Sequence, residues 1–148
     1  MDLLPVLEHF EENTEFTSNP ICSETIQMTI DFYKKIGFKP PWIGYYVKEN
    51  GNLVGAAGFY GKPIDGKVEI AYGTFEIYQN LGFGTKICKL LVELTLKTDP
   101  SLRITARTLA ENNYSTRILK KNGFEFSGNV YDPEDGDLWE WEYVKFPK

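Results

Sequence analysis

The segment VEIAYGTFEIYQNLGFGTKICKLL at residues 68–91 constrains this chain more than any other stretch. It opens as a strand, passes through a loop carrying Gly82 and Gly84, and continues as an amphipathic helix with Ile87, Leu90, Leu91 and Leu94 at helical spacing. A strand–loop–helix unit of this kind leaves the first backbone N–H groups of the helix without helical acceptors, where the aligned peptide dipoles also favour negative charge. The middle of the chain is therefore an anion site.

Two familiar anion loops are excluded by spacing. A Walker loop requires GxxxxGK[ST], which is absent, and a dinucleotide fingerprint requires a third glycine where Ile87 stands. What remains is Gln79-Asn80-Leu81-Gly82-Phe83-Gly84, a Q-x-x-G-x-G loop. Two spaced glycines alone are equally compatible with a tight strand-to-helix turn that binds nothing.

The rest of the chain can be laid out around this unit. Residues 3–12 read as a short helix, with Pro5 in its first turn and Leu4, Leu7 and Glu8 on one face. Residues 13–20 read as a loop, and Ser23 or Thr25 caps a helix to about residue 36, with Ile26, Ile30 and Tyr33 buried and Gly37 ending it. The aromatic and β-branched runs 42–47 and 53–60 flank Asn50-Gly51, a strong hairpin signal because type I′ turns need positive φ at both central residues. A turn at 61–66 leads to a third strand at 67–74. The glycine-loop helix covers 82–97 and Asp99-Pro100 stops it before a strand at 103–109. That helix-bounded step implies a right-handed crossover into a parallel pair. A shorter helix at 113–122 with Gly123 at its end precedes strands at 124–130 and 138–146. The fold class predicted is α+β: one domain over 1–148, a mixed, mostly antiparallel sheet flanked by helices.

Bulk properties narrow the partners. At 148 residues the chain has the size of one domain, and a formal charge of −5 argues against a broad basic surface for nucleic acid. Cys22 and Cys88 lie far apart and form no CxxC, which supports reduced thiols and no zinc site. His9 is the single histidine and lies in a poorly patterned region, so no metal site and no Ser-His pair is expected. The N-terminus lacks a basic leader region, and no run approaches the roughly 18 apolar residues of a membrane span. The cytoplasm is the expected location. Assembly leaves no signature, a homodimer being the commonest form where one exists.

Two blocks of sequence resemble the GNAT superfamily of N-acetyltransferases. The Q-x-x-G-x-G loop is similar to its acyl-CoA-binding motif, [QR]-x-x-G-x-[GA], and E-I-A-Y at 69–72 with Tyr78-Gln79, Gly82 and Thr85 resembles its ribosomal-protein alanine N-acetyltransferase subgroup. The second block, Glu111-Asn112-x-x-Ser115 followed by Asn122-Gly123-Phe124, resembles that subgroup's E-N-x-x-S helix start and G-F strand entry. Together the matches cover about residues 68–128.

The resemblance implies the acyl-CoA N-acyltransferase fold, acetyl-CoA as donor and an amine as acceptor. It implies that backbone amides of Leu81, Gly82, Phe83, Gly84 and Thr85 hold the pyrophosphate, with Gln79 opening the motif. Gly73, Thr74 and Phe75 would pair with the pantetheine arm like an added strand, and Asn112 would bond the pantetheine or substrate side of the cleft, unless it serves the helix cap near Asn113. Lys86, Lys89, Arg117, Lys120 and Lys121 are cations that could reach the phosphates or simply form a solvated face.

Acetyl transfer needs a free amine lone pair, yet a lysine-like amine titrates near about 10.4. A general base must take its proton. Glu69 is the candidate implied by the family, with Glu140 and Glu142 on the last strand as alternatives. Backbone N–H groups near Tyr72 to Thr74 would stabilise the oxyanion. Many superfamily members carry a tyrosine acid four residues before the glycine of the G-F pair, but this chain has Leu119 there. Ser115 or Tyr114 would then donate to the departing sulfur, unless they only pack or cap the helix. Cys88 reads as a small buried hydrophobe, and Trp42, Tyr45, Tyr46, Trp139 and Trp141 either line an acceptor pocket or pack on the sheet. The missing tyrosine leaves a rival: a non-catalytic acyl-CoA-binding module on the same fold. Nothing before residue 60 names the acceptor, which could be a small molecule or a protein N-terminus.

Overall fold

The computed structural model describes residues 1–145. Seven strands form one sheet in the order β1-β2-β3-β4-β5-β7-β6. They are β1 Asp2–Pro5, β2 Gly44–Glu49, β3 Asn52–Phe59, β4 Lys67–Thr74, β5 Arg103–Leu109, β6 Phe124–Asp132 and β7 Gly136–Tyr143. The helices are α1 Thr14–Thr17, α2 Pro20–Ser23, α3 Ile26–Ile36, α4 Phe83–Thr98 and α5 Tyr114–Lys121. Every strand pair is antiparallel except β4·β5, which the α4 crossover joins in parallel. The mixed α+β sheet predicted from the sequence is the observed fold.

Local signals fixed several elements closely. The β2–β3 hairpin turns on Asn50 at φ 49 and Gly51 at φ 83, and Gly123 ends α5 at φ 85. Helix α4 buries Gly84, Ile87, Cys88, Leu91, Val92 and Thr95, the stripe expected for one face lying on a sheet.

Other expectations need correction. Residues 3–12 do not form a helix: Leu3 and Leu4 pair with Val47 and Tyr46 as edge strand β1, and only Phe10–Glu12 makes a single helical turn. Pairing to β2 outweighs the weak local helical pattern, as tertiary context commonly does. Nor is 13–20 all loop. The buried Asn13 side chain accepts from Leu7 N–H at 2.8 Å and donates to the Leu7 and His9 carbonyls, fixing a turn from which α1 starts. Asn19 then caps α2, whose first residue is Pro20. Thr25 occupies the α3 cap position, but its hydroxyl bonds the Cys22 carbonyl and the Tyr46 hydroxyl instead of capping. Strand β2 begins at Gly44, two residues later than predicted, and β7 ends at Tyr143; Phe146, the predicted end of that strand, lies outside the described residues.

The sheet has two unlike faces. Val68, Ile70 and Tyr72 of β4 face α4 and α5, together with Ile104, Ala106 and Thr108 of β5 and Trp139 and Trp141 of β7. The Trp141 indole N–H donates to Thr108 Oγ1 at 3.0 Å and seats the last strand against β5. Glu69, Ala71 and Gly73 point to the other face, which α3 partly covers.

Candidate functional site

The site begins where the parallel ladder stops. Strands β4 and β5 pair from Lys67↔Arg103 to Ile70↔Ala106 and no further. Yet β4 stays paired with β3 up to Thr74↔Gly55, and β5 with β7 up to Leu109↔Leu138. The two strands therefore splay, and the β4 edge from Ala71 to Thr74 opens into a cleft in mid-sheet. Gly73 is exposed there.

That open edge leads directly to the glycine loop. A helical turn at Glu76–Tyr78 follows β4, and the Gln79 side-chain amide donates back to the Thr74 carbonyl at 3.2 Å, so Gln79 fastens the loop to the strand end. Gly82 takes the left-handed conformation at φ 84 as the residue before α4. The first helical bond runs from Lys86 N–H to the Gly82 carbonyl at 3.4 Å, leaving the N–H groups of Phe83, Gly84 and Thr85 without helical acceptors. Leu81 and Gly82 are exposed, and Phe83 and Thr85 half-buried, around this N-terminus. Gly84 serves a different purpose: a Cβ there would lie 2.6 Å from Ile118 Cδ1, so any larger residue forces the Ile118 side chain to shift where α4 and α5 meet. Asn122, at the end of α5, donates to the Thr85 carbonyl at 3.2 Å and clamps the same turn.

Helix α5 contributes Tyr114 and Ser115. Asn113 caps it reciprocally with Thr116, so the cap falls to Asn113 and not to Asn112. Asn112 is exposed, beside a second cavity lined by Lys120, Phe124, Phe126, Trp139 and Trp141. The position a Gly84 Cβ would occupy lies 3.7 Å from the Tyr114 ring and 3.5 Å from Thr74 Oγ1, so the start of α4 has Tyr114 and the open end of β4 as neighbours. Ser115 is exposed one residue further on. Leu119 is fully buried in the core, so its position offers no proton donor. Arg117 lies over the Tyr114 ring and Lys120 over that of Trp141.

On the opposite face, Glu69 sits one residue before the last β4·β5 pair. Arg107, one residue past that pair on β5, places its Nε 3.7 Å from Glu69 and 3.5 Å from Glu140 on β7. One guanidinium thus bridges two carboxylates across three strands. Burial raises the Glu69 pKa above the ordinary carboxylate value, Arg107 and Lys67 oppose that shift, and Glu140 and Asp132 add to it. Glu142 pairs instead with Arg103, at 2.5 Å, which lowers its pKa and directs it away from the cleft.

Above Ala71 and Gly73 lies a cavity of about 450 Å³ between α3 and strands β2 to β4. Tyr45 and Tyr46 line it, whereas Trp139 and Trp141 belong to the α5 side of the sheet and Trp42 stacks on Phe59. Arg107, Tyr60 and the α3 residues Met28 and Phe32 were not singled out from the sequence, and Asn122 was noted only within the G-F block and not as a clamp on the glycine loop. The available signal was the repeated small-x-small pattern Ala56-x-Gly58 and Ala71-x-Gly73 on neighbouring strands, which clears the sheet face below the cavity. Cys88 of α4 is fully buried beside half-buried Tyr72, and burial lifts the thiol to about 12, so Cys88 is packing material as predicted.

Comparison with known proteins agrees with this geometry. Residues 2–125 match the family model of the acetyltransferase (GNAT) domain. The uncharacterized N-acetyltransferase YjdG of Bacillus subtilis strain 168 is 30% identical over 98 residues, 66% of this chain and 55% of its own length, so the chain spans about half of that relative. Among solved structures, aminoglycoside acetyltransferase AAC(6')-Ib in complex with coenzyme A superposes with a TM-score of 0.60 at 28% identity, over 70% of this chain and 66% of that one. A chimera of the Vibrio cholerae spermidine N-acetyltransferase SpeG and hSSAT reaches 0.70 over 97% and 95% of the two chains; at 14% identity the likeness is one of fold. A splayed parallel pair, an open helix N-terminus at its mouth and a family match over most of the length lead to one assignment: the chain belongs to the GNAT acetyltransferase family.

Proposed function

We propose that this chain is an N-acetyltransferase that transfers the acetyl group of acetyl-CoA to a primary amine by direct attack in a ternary complex. The observation that carries this is the loss of β5 by β4 beyond Ile70↔Ala106, which leaves an unpaired strand edge leading to unpaired helix N–H groups. A pantetheine arm needs a strand edge and a pyrophosphate needs such an N-terminus, so the residues present fit the donor. The solved complexes of AAC(6')-Ib with coenzyme A support the same choice. Acetyl-CoA bound there supplies an acetyl group activated as a thioester.

The chain's own groups have separable tasks. Leu81 to Thr85 hold phosphate oxygens through backbone N–H, while Gly73, Thr74 and Phe75 pair with the arm and Gln79 keeps that edge in place. Glu69 accepts the proton of the amine on the α3 face, and the bridge from Arg107 holds its carboxylate. At the other end of the cleft Tyr114 Oη and Ser115 Oγ are the proton-bearing groups, the Tyr114 ring lying against the start of α4 at Gly84. Asn112, exposed on the α5 side of the sheet, is the polar side chain left to bond the pantetheine arm. A cytoplasmic location, which free, buried Cys22 and Cys88 support, and a homodimer belong to the same proposal; no helix among the described residues is long and apolar enough to cross a membrane. Fractionation and light scattering test those two points.

Release of CoA thiol is the direct assay. Amine-dependent release from acetyl-CoA is the expected result. Acetyl-CoA that binds while no amine in a broad panel turns over would favour the non-catalytic module.

A further inference from the structure

Resting on the acetyl-transfer reading, we propose that the cavity between α3 and β2–β4 takes the body of a small arylalkyl monoamine whose amino group lies at Glu69. The cavity exists because the sheet face beneath α3 carries almost no side chains. Gly44, Ala56, Gly58, Ala71 and Gly73 come together there through the pairs Gly44↔Gly58, Ala56↔Gly73 and Gly58↔Ala71. Helix α3 presents two stripes to this floor. Ile26, Ile30 and Tyr33 enter the core, while Thr25, Met28, Thr29 and Phe32 form the cavity wall.

The wall chemistry selects the occupant. None of the residues lining the cavity is charged. Three of its phenol groups are already engaged: Tyr33 donates to the Val6 carbonyl at 2.8 Å and accepts from Gly44 N–H, Tyr45 donates to the Pro41 carbonyl, and Tyr46 pairs with Thr25. Burial pushes the Tyr33 and Tyr45 hydroxyls up to about 12, so they stay neutral. A second ammonium group along the cavity would lose water with no anion to meet it. Apolar surface is offered instead, since Phe32 and Tyr60 meet edge to face at 5.7 Å and Met28 and Tyr60 stay 71% and 53% exposed at the rim. A ring laid against that pair covers both.

Negative charge gathers at the Tyr60 end, where Glu69, Asp135 and Asp132 act on the Tyr60 hydroxyl against Arg107. Tyr60 N–H donates to the Glu69 carbonyl at 3.0 Å, so the two residues are cross-strand neighbours, and the Glu69 carboxylate lies just beyond the cavity lining, close enough to the Tyr60 hydroxyl to raise its pKa. Glu69 and Glu140 there outnumber the single Arg107 between them. One cation at that end with an apolar body over Ala71 matches this distribution, and it sets the nitrogen beside the open β4 edge.

CoA release is to be measured with 2-phenylethylamine, spermidine and a hexapeptide with N-terminal phenylalanine, alongside calorimetric binding of 2-phenylethylamine to the free protein. The expected result is a kcat/KM for 2-phenylethylamine at least about tenfold above both others. Phe32→Ala should raise its KM about threefold to tenfold with the affinity for acetyl-CoA unchanged. Ala56→Leu, which fills the floor, should abolish its binding, with thermal melts verifying that both variants fold. Preference for spermidine or the peptide, or indifference of 2-phenylethylamine to both substitutions, overturns the proposal while leaving acetyl transfer intact. Should acetyl-CoA fail to bind, the functional reading fails by itself; calorimetry then still decides the cavity, since binding lost in Ala56→Leu supports it and no binding to the parent chain overturns it.

Discussion

Strand β4 presents two faces of opposite construction within one run of eight residues. Val68 and Ile70 are packed under α4, where large side chains fill all the space. Glu69, Ala71 and Gly73 alternate with them on the other face, where Ala71 and Gly73 floor a cavity and Glu69 stands just beyond its lining. The first face fixes where the strand lies; the second, freed from packing, is left for chemistry. Neighbouring residues on β4 should therefore fail in different ways.

The largest separation is expected between Glu69 and Ile70. Glu69→Gln should lower kcat about a hundredfold to a thousandfold, as loss of a general base does, with acetyl-CoA affinity and melting temperature nearly unchanged. Equal activity in that variant across the pH range would remove Glu69 from the mechanism. Ile70→Ala, 2% exposed in the parent, should cost about 2–5 kcal/mol in urea unfolding while the folded fraction keeps its turnover. If both substitutions destabilise alike, the division of the strand into a packing face and a chemical face is wrong.

A smaller effect is expected at the helix contact. Gly84→Val drives a branched side chain into Ile118 and should cost about 1–3 kcal/mol, with weaker acetyl-CoA binding because the turn that offers the N–H groups is displaced. Differential scanning and equilibrium dialysis read the two parts.

The smallest effects concern the bridge over Glu69. Its carboxyl must be ionised to act, so activity rises with pH through a limb that lies above the usual carboxylate range because burial raises this group. Arg107→Gln removes a lowering influence and should move the limb to higher pH, whereas Glu140→Gln removes a raising one and should move it lower. Limbs that shift in the same direction would mean that some other group is being titrated.

Most of the helix–strand order was legible because its signals are local. Asn50-Gly51, Asp99-Pro100, Gly123 and the α4 stripe each state a turn, a stop or a buried face within a few residues. Strand β1 was misread for the complementary reason. Asp2–Pro5 is extended because β2, some forty residues later, offers it an edge. The cofactor side of the site was similarly readable from one continuous segment, but the Glu69–Arg107–Glu140 bridge requires β5 to lie between β4 and β7, an order no periodicity records. The cavity is equally non-local, since Gly44, Ala56 and Ala71 are unremarkable until register sets them side by side.

The placement of β7 between β5 and β6 has a consequence for how the molecule is made. Until the closing hairpin is complete, β5 offers a bare hydrogen-bonding edge in the middle of the future sheet, and Thr108 lacks the indole that later caps it. A nascent chain released through β5 would thus carry an adhesive margin that the finished protein hides, a natural point for holding by a chaperone. Pulse-labelled hydrogen exchange during refolding should find β3 and β4 protected before β6 and β7, with the outer side of β5 among the last to close.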